Sequence, residues 1–483
     1  MQKSTSYPII KKVGLLLGPL VFILLYNFPF ELINAAADKV IAVAAWMVIW
    51  WITETVSISV TALIPLTVFP LLKIADIKTV AASYGSPIVF LFFGGFVMAL
   101  ALEKVNLHKR IALNIIKFTG LSPDRVILGF LIATAFLSMW ISNTATTVVM
   151  LPIALSVITL LANDEDGFTK GDQNFALSLL LGVAFAANVG GIATIIGTPP
   201  NTVLIGFLEQ EYGIQISFLS WLKVGLPFSL LMLTLIYFIL VKLIYPNHLK
   251  SESNNFDLIN NELRKLGPIN KIEKRVLLIF ATTILLWIGR TSINVWMPFI
   301  SLSDAGISML AAFFLFTIPL QFQTGKFSLE WEDTQKLPWG ILILFGGGLA
   351  LASALSSTGV IDFIGNIISK KENLSVFLIG AILIAVVLFM TELMSNVALI
   401  AIFAPVIAGI AIGLKSEMLY MLIPAAMASS CAFMLPMATP PNAIVFASGH
   451  IKVHEMVKAG VYLNILAVLI LIIFSYTLIP LCF

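Results

Sequence analysis

The stretch that decides the fold reads Ser138-Met139-Trp140-Ile141-Ser142-Asn143-Thr144-Ala145-Thr146-Thr147. Six of these ten residues are Ser, Thr or Asn, set inside a long apolar run. Such side chains compete for backbone hydrogen bonds and favour helix ends. A helix that unwinds here frees carbonyl oxygens at one end and N–H groups at the other. The carbonyls, with the Ser and Asn side-chain oxygens, can replace a cation's hydration shell. The N–H groups, at the positive end of a helix dipole, suit an anion. One broken helix thus offers both kinds of site without any charged side chain.

The stretch has a counterpart. Ser142-Asn143 returns as Ser395-Asn396, an offset of 253 (395 − 142). Phe93-Gly94-Gly95 returns as Phe345-Gly346-Gly347, offset 252 (345 − 93), and Thr198-Pro199-Pro200-Asn201 returns as Thr439-Pro440-Pro441-Asn442, offset 241 (439 − 198). Three ordered coincidences at nearly constant spacing mark an internal repeat. Each half is expected to carry a glycine-rich apolar hairpin, a Ser-Asn break and a Thr-Pro-Pro-Asn break. Proline lacks an N–H and suits the first turn of a new helix. Each Pro-Pro pair should therefore end one half-helix and start another, with Thr198 or Thr439 near an N-cap. Small polar residues in membrane helices also serve packing, but a duplicated set in matched order favours a site. The Phe-Gly-Gly glycines fit close packing equally well. Paired discontinuous segments in corresponding positions point to the binding site of a secondary transporter, near the bilayer midplane.

Composition agrees. The chain has 483 residues, 59% hydrophobic and 11% charged, where a soluble domain is about 25% charged. That excludes a soluble enzyme, a disordered chain and a disulfide scaffold. The apolar segments are too long and continuous for a membrane β-barrel. The net charge, 28 − 25 = +3, gives no reason to expect nucleic acid, and Cys431 and Cys482 lie in apolar stretches. About fifteen apolar pieces can be marked, several too short to cross alone, which broken helices and re-entrant hairpins explain. The expected fold class is an all-α polytopic membrane protein with a two-fold repeat, taken as inverted. Lys11 and Lys12 precede the apolar run Val13 to Phe28, and Ala35-Ala36-Ala37 follows; this reads as a retained first membrane helix rather than a cleaved signal. The two lysines favour a cytoplasmic N-terminus. The polar stretch 245–275 reads as a loop between halves.

Intramembrane charges are a functional flag. Glu392, three residues before Ser395, could tune the second break; Glu54 could do likewise or mark a helix end. His450 and His454 have i, i+4 spacing, but among Lys452, Glu455 and Lys458 they read as a surface face. No HExxH or GxSxG pattern is present: His454-Glu455 and Gly85-Ser86-Pro87 lack the remaining positions. An intramembrane enzyme is therefore disfavoured. A channel is a further alternative, which single-channel currents would distinguish.

On these motifs the sequence resembles the divalent anion/sodium symporter (DASS) family, the INDY-type di- and tricarboxylate transporters, over nearly the whole chain. The resemblance implies one Na⁺ site from Ser138, Ser142, Asn143 and Gly197. It implies a second from Thr391, Met394, Asn396 and Ala438, with Met394 and Ala438 contributing carbonyls. Substrate carboxylates would meet Ser142, Asn143, Thr144, Thr198 and Pro199 in the first half. In the second half they would meet Ser395, Asn396, Thr439 and Pro440, with Val397 standing where the family motif has Thr. The expected function is Na⁺-coupled uptake of C4-dicarboxylates (succinate, fumarate, malate); that departure keeps citrate, sulfate and anion exchange without Na⁺ coupling open as alternatives. The resemblance also implies a homodimer in the cytoplasmic membrane, with Na⁺ as co-transported ion and an elevator-type motion. The scaffold would be 1–78 and 214–333, the transport domain 79–213 and 334–456, and 457–483 a C-terminal membrane helix.

Overall fold

The computed structural model describes residues 8–29, 31, 33–120, 122–161, 169–247, 249, 255–321, 326–370 and 375–483. The chain ahead of Pro8, and Lys250 and Glu252 of the polar stretch, lie outside them. Helices dominate the described residues; the short strands Pro319–Gln321 and Lys326–Phe327 pair antiparallel. Among the described residues, nine helices are long and apolar enough to cross a membrane.

The Ser-Asn stretches are the tips of re-entrant hairpins. Helix Pro123–Ser138 starts with a proline after Ser122. Asp124 pairs there with Lys242 and accepts from Asn247 Nδ2 at 2.9 Å. Asn174, near the start of helix Lys170–Ile192, donates to Pro246 O at 2.8 Å. Both helices therefore start at one membrane face, and they run inward side by side until Ser138 meets Ala187. Helix Asn143–Leu161 leaves that meeting point. Its end must reach Lys170 through residues 162–169, a span of about 30 Å at most. Continuing outward, it would end more than about 50 Å from that face. It must fold back.

The second hairpin enters from the other face. Helix Val376–Met390 starts beside Tyr476, whose ring lies 5.5 Å from that of Phe377, and Ser475 donates to the Tyr420 carbonyl. Helix Asn396–Gly413 joins helix Leu419–Ser429 through only residues 414–418, so it too returns. Helix Val453–Tyr476 relates the two hairpins. Near its start, the Glu455 carbonyl accepts from Tyr245 Oη at 2.7 Å, on the first hairpin's face; its end lies at the second hairpin's mouth. Twenty-four residues make about 36 Å of helix, a full bilayer. The repeat is inverted. Asn396–Gly413, though long and apolar enough to cross, is a returning leg.

The glycine-rich segments are not hairpins, contrary to expectation. Phe93-Gly94-Gly95 and Phe345-Gly346-Gly347 lie inside the unbroken helices Pro87–Lys104 and Trp339–Ser357. A Cβ on Gly94 would sit 2.6 Å from the Ser308 backbone; one on Gly346 would enter the Tyr84 ring, and one on Gly347 would strike the Ala62 carbonyl. These glycines admit a neighbouring backbone, as small residues do between membrane helices. Each helix leads through a left-handed residue, Asn106 or Gly359, into a short helix, Leu107–Thr119 or Val360–Ser369. The offset between those residues is again 253 (359 − 106). The apolar pieces near 275–290 and 296–320 also shift, to Lys271–Trp296 and Asp304–Thr317, because the Ser303 hydroxyl caps the second helix.

Ion pairs fix Leu107–Thr119 to the neighbouring surface. Lys109 meets Glu262 at 2.8 Å, and with Lys265 it holds the Glu262 carboxyl below the usual carboxylate range. Arg110 reaches Glu273 at 2.7 Å and also donates to the Gly267 and Leu266 carbonyls. The Glu273 side chain is 5% exposed. Arg110→Ala is expected to cost about 3–5 kcal/mol, since it strands a buried carboxylate. Thermal unfolding in detergent measures this, and an unchanged transition would reject the pair as a structural tie.

Candidate functional site

Each hairpin tip gathers three oxygens. At the first, Ser138 Oγ lies 2.6 Å from Asn143 Oδ1 and 2.7 Å from the Ala187 carbonyl. At the second, Thr391 Oγ1 lies 2.7 Å from Asn396 Oδ1 and 2.5 Å from the Ser429 carbonyl. A hydroxyl has one proton and here faces two acceptors. Each trio therefore has lone pairs in excess of protons, which is the requirement for coordinating a cation. The two trios correspond position by position: 253 separates Ser138 from Thr391 and Asn143 from Asn396, and 242 (429 − 187) separates Ala187 from Ser429.

The other expected ion-site residues lie around these trios. A Cβ on Gly191 would sit 2.5 Å from Asn143 Oδ1 and 3.1 Å from Gly197 O, so Asn143 and Gly197 meet across Gly191. Ser142 Oγ accepts from Ala145 N at 3.2 Å and caps the returning leg. Met394 and Ala438 are buried. Glu392 joins their segments. Its Oε1 accepts from Phe433 N at 2.8 Å, Met434 N at 2.9 Å and Asn464 Nδ2 at 2.8 Å, and its Oε2 accepts from Leu435 N at 3.0 Å. Leu435 O in turn accepts from Ala438 N.

The Thr-Pro-Pro-Asn segments start helices Pro199–Tyr212 and Pro440–Phe446. Thr439 Oγ1 accepts from Asn442 N at 3.4 Å, the expected N-cap. Thr198 holds the same extended backbone, but its hydroxyl makes no cap bond. The asparagines look backward. Asn201 Nδ2 donates to Thr194 O at 2.8 Å, and Asn442 Nδ2 donates to Ala432 O at 3.0 Å and Leu435 O at 3.1 Å. They satisfy carbonyls left over where the preceding half-helix ends. The halves interlock here. Asn188, next to Ala187, donates to Thr439 Oγ1 at 3.1 Å and Asn442 Oδ1 at 3.2 Å. The leg Asn143–Leu161 packs on Pro440–Phe446, and Asn396–Gly413 packs on Pro199–Tyr212.

Among the expected substrate contacts, Ser142, Asn143, Pro199, Ser395 and Asn396 are half-buried and Thr144 and Pro440 exposed, while Thr198, Thr439 and Val397 are buried.

Sequence reading missed the Ala187 and Ser429 carbonyls, because a carbonyl ligand leaves no mark on residue type. Asn188 and Asn464, single amides in apolar runs, were available signals. Glu54 is an exposed left-handed residue at a helix end, 3.9 Å from Lys11, and His450 and His454 are exposed. No group of three or more His, Cys, Asp or Glu fit to hold a metal occurs among the described residues.

Residues 10–482 match the family model for the sodium:sulfate symporter transmembrane region. A sodium-dependent dicarboxylate transporter of Staphylococcus saprophyticus is 38% identical over 99% of this chain and 93% of its own. A transporter of the same name from Staphylococcus aureus is 38% identical over 97% and 91%. Two solved transporters share the fold. Neisseria gonorrhoeae MtrF, from a class of antimetabolite efflux pumps, has a TM-score of 0.56 at 11% identity, covering 98% of this chain and 95% of that one. Alcanivorax borkumensis YdaH, described as having an unusual topology, has a TM-score of 0.54 at 14% identity, covering 97% and 98%.

Proposed function

The chain belongs to the sodium:sulfate symporter family, and from that premise we propose that it couples Na⁺ entry to uptake of C4-dicarboxylates such as succinate, fumarate and malate. The observation that carries this reading is the doubled oxygen trio at the inverted hairpin tips, joined to relatives named for sodium-dependent dicarboxylate transport. One Na⁺ is held by Ser138, Ser142, Asn143 and Gly197 with the Ala187 carbonyl. The other is held by Thr391, Met394, Asn396 and Ala438 with the Ser429 carbonyl. The substrate carboxylates meet Ser142, Asn143, Thr144, Thr198 and Pro199 from one half, and Ser395, Asn396, Thr439 and Pro440 from the other, beside Val397. Bound cations offset a dianion's charge where the dielectric is low. The assigned role is transport, with no reaction.

The moving unit comprises both hairpins and the helices bonded to them. Ser229 donates to Val189 O and Trp221 to Ile192 O, which attaches helix Phe218–Tyr237; Asn464 attaches Val453–Tyr476 through Glu392. The transport domain therefore extends past the boundaries 213 and 456. The glycine-rich helices, packed on Ser308, Tyr84 and Ala62, belong with the scaffold. The elevator motion and the homodimer rest on the family resemblance.

The first hairpin's face carries Lys104, Lys109, Arg110, Arg125, Lys242 and Lys274, which supports assigning it to the cytoplasmic side of the cell membrane. Lys11 lies on the same face. Asn34 at the other end of helix Ala35–Thr53 bonds Thr358 on the opposite face, while Thr55 donates to Lys11 O.

In proteoliposomes with an imposed Na⁺ gradient, succinate uptake should vanish when choline replaces Na⁺. Undiminished uptake in choline overturns symport, and uptake of citrate or sulfate alone overturns the substrate class.

A further inference from the structure

Glu392 breaks the symmetry of the two halves. Its side chain is buried at the second hairpin tip, directly before the oxygen trio's neighbours and directly after Thr391. All four of its contacts are N–H donors: three consecutive backbone amides and the Asn464 amide. No Lys or Arg pairs with it among the described residues. The corresponding position of the first half is Met139 (392 − 253), which carries no charge; there the Thr194 hydroxyl donates to the Met139 carbonyl at 2.6 Å instead.

Two consequences follow from this arrangement. The first is geometric. Helix Leu419–Ser429 stops early, so the amides of Phe433, Met434 and Leu435 lack helical partners, and one carboxylate gathers them. That fixes the segment between the Ser429 carbonyl and Ala438 against the tip. The second is electrostatic. Amide dipoles spread a carboxylate's charge but do not cancel it, and a buried charge without a counterion is costly. A cation in the Thr391, Asn396 and Ser429 trio, one residue along the chain from Glu392, would supply that counter-charge.

We propose that Glu392 is a positioning and charge-balancing residue for the second cation site, which makes that site the tighter of the two. The proposal rests on the Na⁺-coupled reading above. It also implies an order of loading: the half that carries a fixed negative charge fills first. Glu392 itself touches neither substrate nor, in this structure, the trio's oxygens; it acts through the backbone it holds and the field it exerts.

The test compares length against charge at one position. Glu392→Gln keeps the length and one acceptor oxygen but loses the charge; Glu392→Asp keeps the charge but loses reach. Both are reconstituted and the Na⁺ dependence of succinate uptake is measured. Thermal unfolding in detergent is followed alongside across a Na⁺ titration, since a bound ligand stabilises the folded state. The expected result is a half-saturating Na⁺ concentration raised about tenfold or more in Glu392→Gln. Its thermal titration should shift in parallel, its succinate KM at saturating Na⁺ should stay close to wild type, and Glu392→Asp should lie nearer wild type. A merely structural clamp predicts the reverse order, with Gln better than Asp, and that order overturns the proposal. If Glu392→Gln does not fold, Glu392→Asp and Glu392→Asn, equal in length, replace the pair, and equal Na⁺ dependence in those two overturns it. Wild-type uptake indifferent to Na⁺ would instead reject the symport reading itself.

Discussion

Replacing Asn143 or Asn396 with alanine, one at a time, is expected to lower Na⁺-driven dicarboxylate uptake by about 100-fold or more. Each amide has two duties. Its oxygen completes a trio with Ser138 or Thr391 at 2.6 or 2.7 Å, and its backbone opens the returning leg of a hairpin. On the proposed assignment, truncation removes a ligand from a cation and a neutral donor from the carboxylate beside it. A contact to a charged group is worth about 1.5–3 kcal/mol, so the two together reach about 3–6 kcal/mol. On the proposed assignment the loss should appear first as a raised Na⁺ requirement, because the amide oxygen belongs to the trio. If both variants transport like wild type, the trios are packing features and the assignment of the ion sites is wrong.

Gly197→Ala should abolish uptake while Gly289→Ala leaves it intact. Helix propensity alone favours alanine over glycine by about 1 kcal/mol in a helix interior. Gly289 lies mid-helix in Lys271–Trp296, and an added Cβ would meet only the flexible end of Ile293 at 3.4 Å. There the propensity gain stands, and stability should hold or rise. At Gly197 a Cβ would lie 2.5 Å from the Gly191 carbonyl oxygen and 2.9 Å from Gly191 Cα. Both are backbone atoms, and Gly191 is itself pressed against Asn143. Overpacking of this kind typically costs about 1–3 kcal/mol, and the displacement falls on the first trio. Uptake and thermal unfolding of the two variants, measured together, decide it; wild-type transport by Gly197→Ala would show that the two glycines can separate freely.

The polar breaks were legible because Ser, Thr, Asn and Pro are conspicuous in an apolar chain, and duplication raised them above packing noise. The direction of the hairpins was not. Every residue from Phe175 to Ile192 is buried, so hydrophobic periodicity gives that helix no outward face to orient it. Orientation came instead from contacts between distant ends, such as Asp124 with Lys242 and Phe377 with Tyr476. The Phe-Gly-Gly segments were misread as turns because glycine serves both a bend and a close approach. Only Ser308, Tyr84 and Ala62, remote in sequence, distinguish the two. Glu392 was visible as an oddity, but its partners are backbone amides, which no residue type announces.

The opposed entry of the two hairpins also bears on reversibility. A chain whose halves are related across the bilayer can present the same site to either side by carrying one unit across. Such a machine has no built-in direction, and net flow follows whatever gradients the cell maintains. A tenfold concentration ratio supplies about 1.4 kcal/mol per ion. A potential of 100 mV supplies about 2.3 kcal/mol per elementary charge moved. Reversing those terms should make the same molecule an exporter.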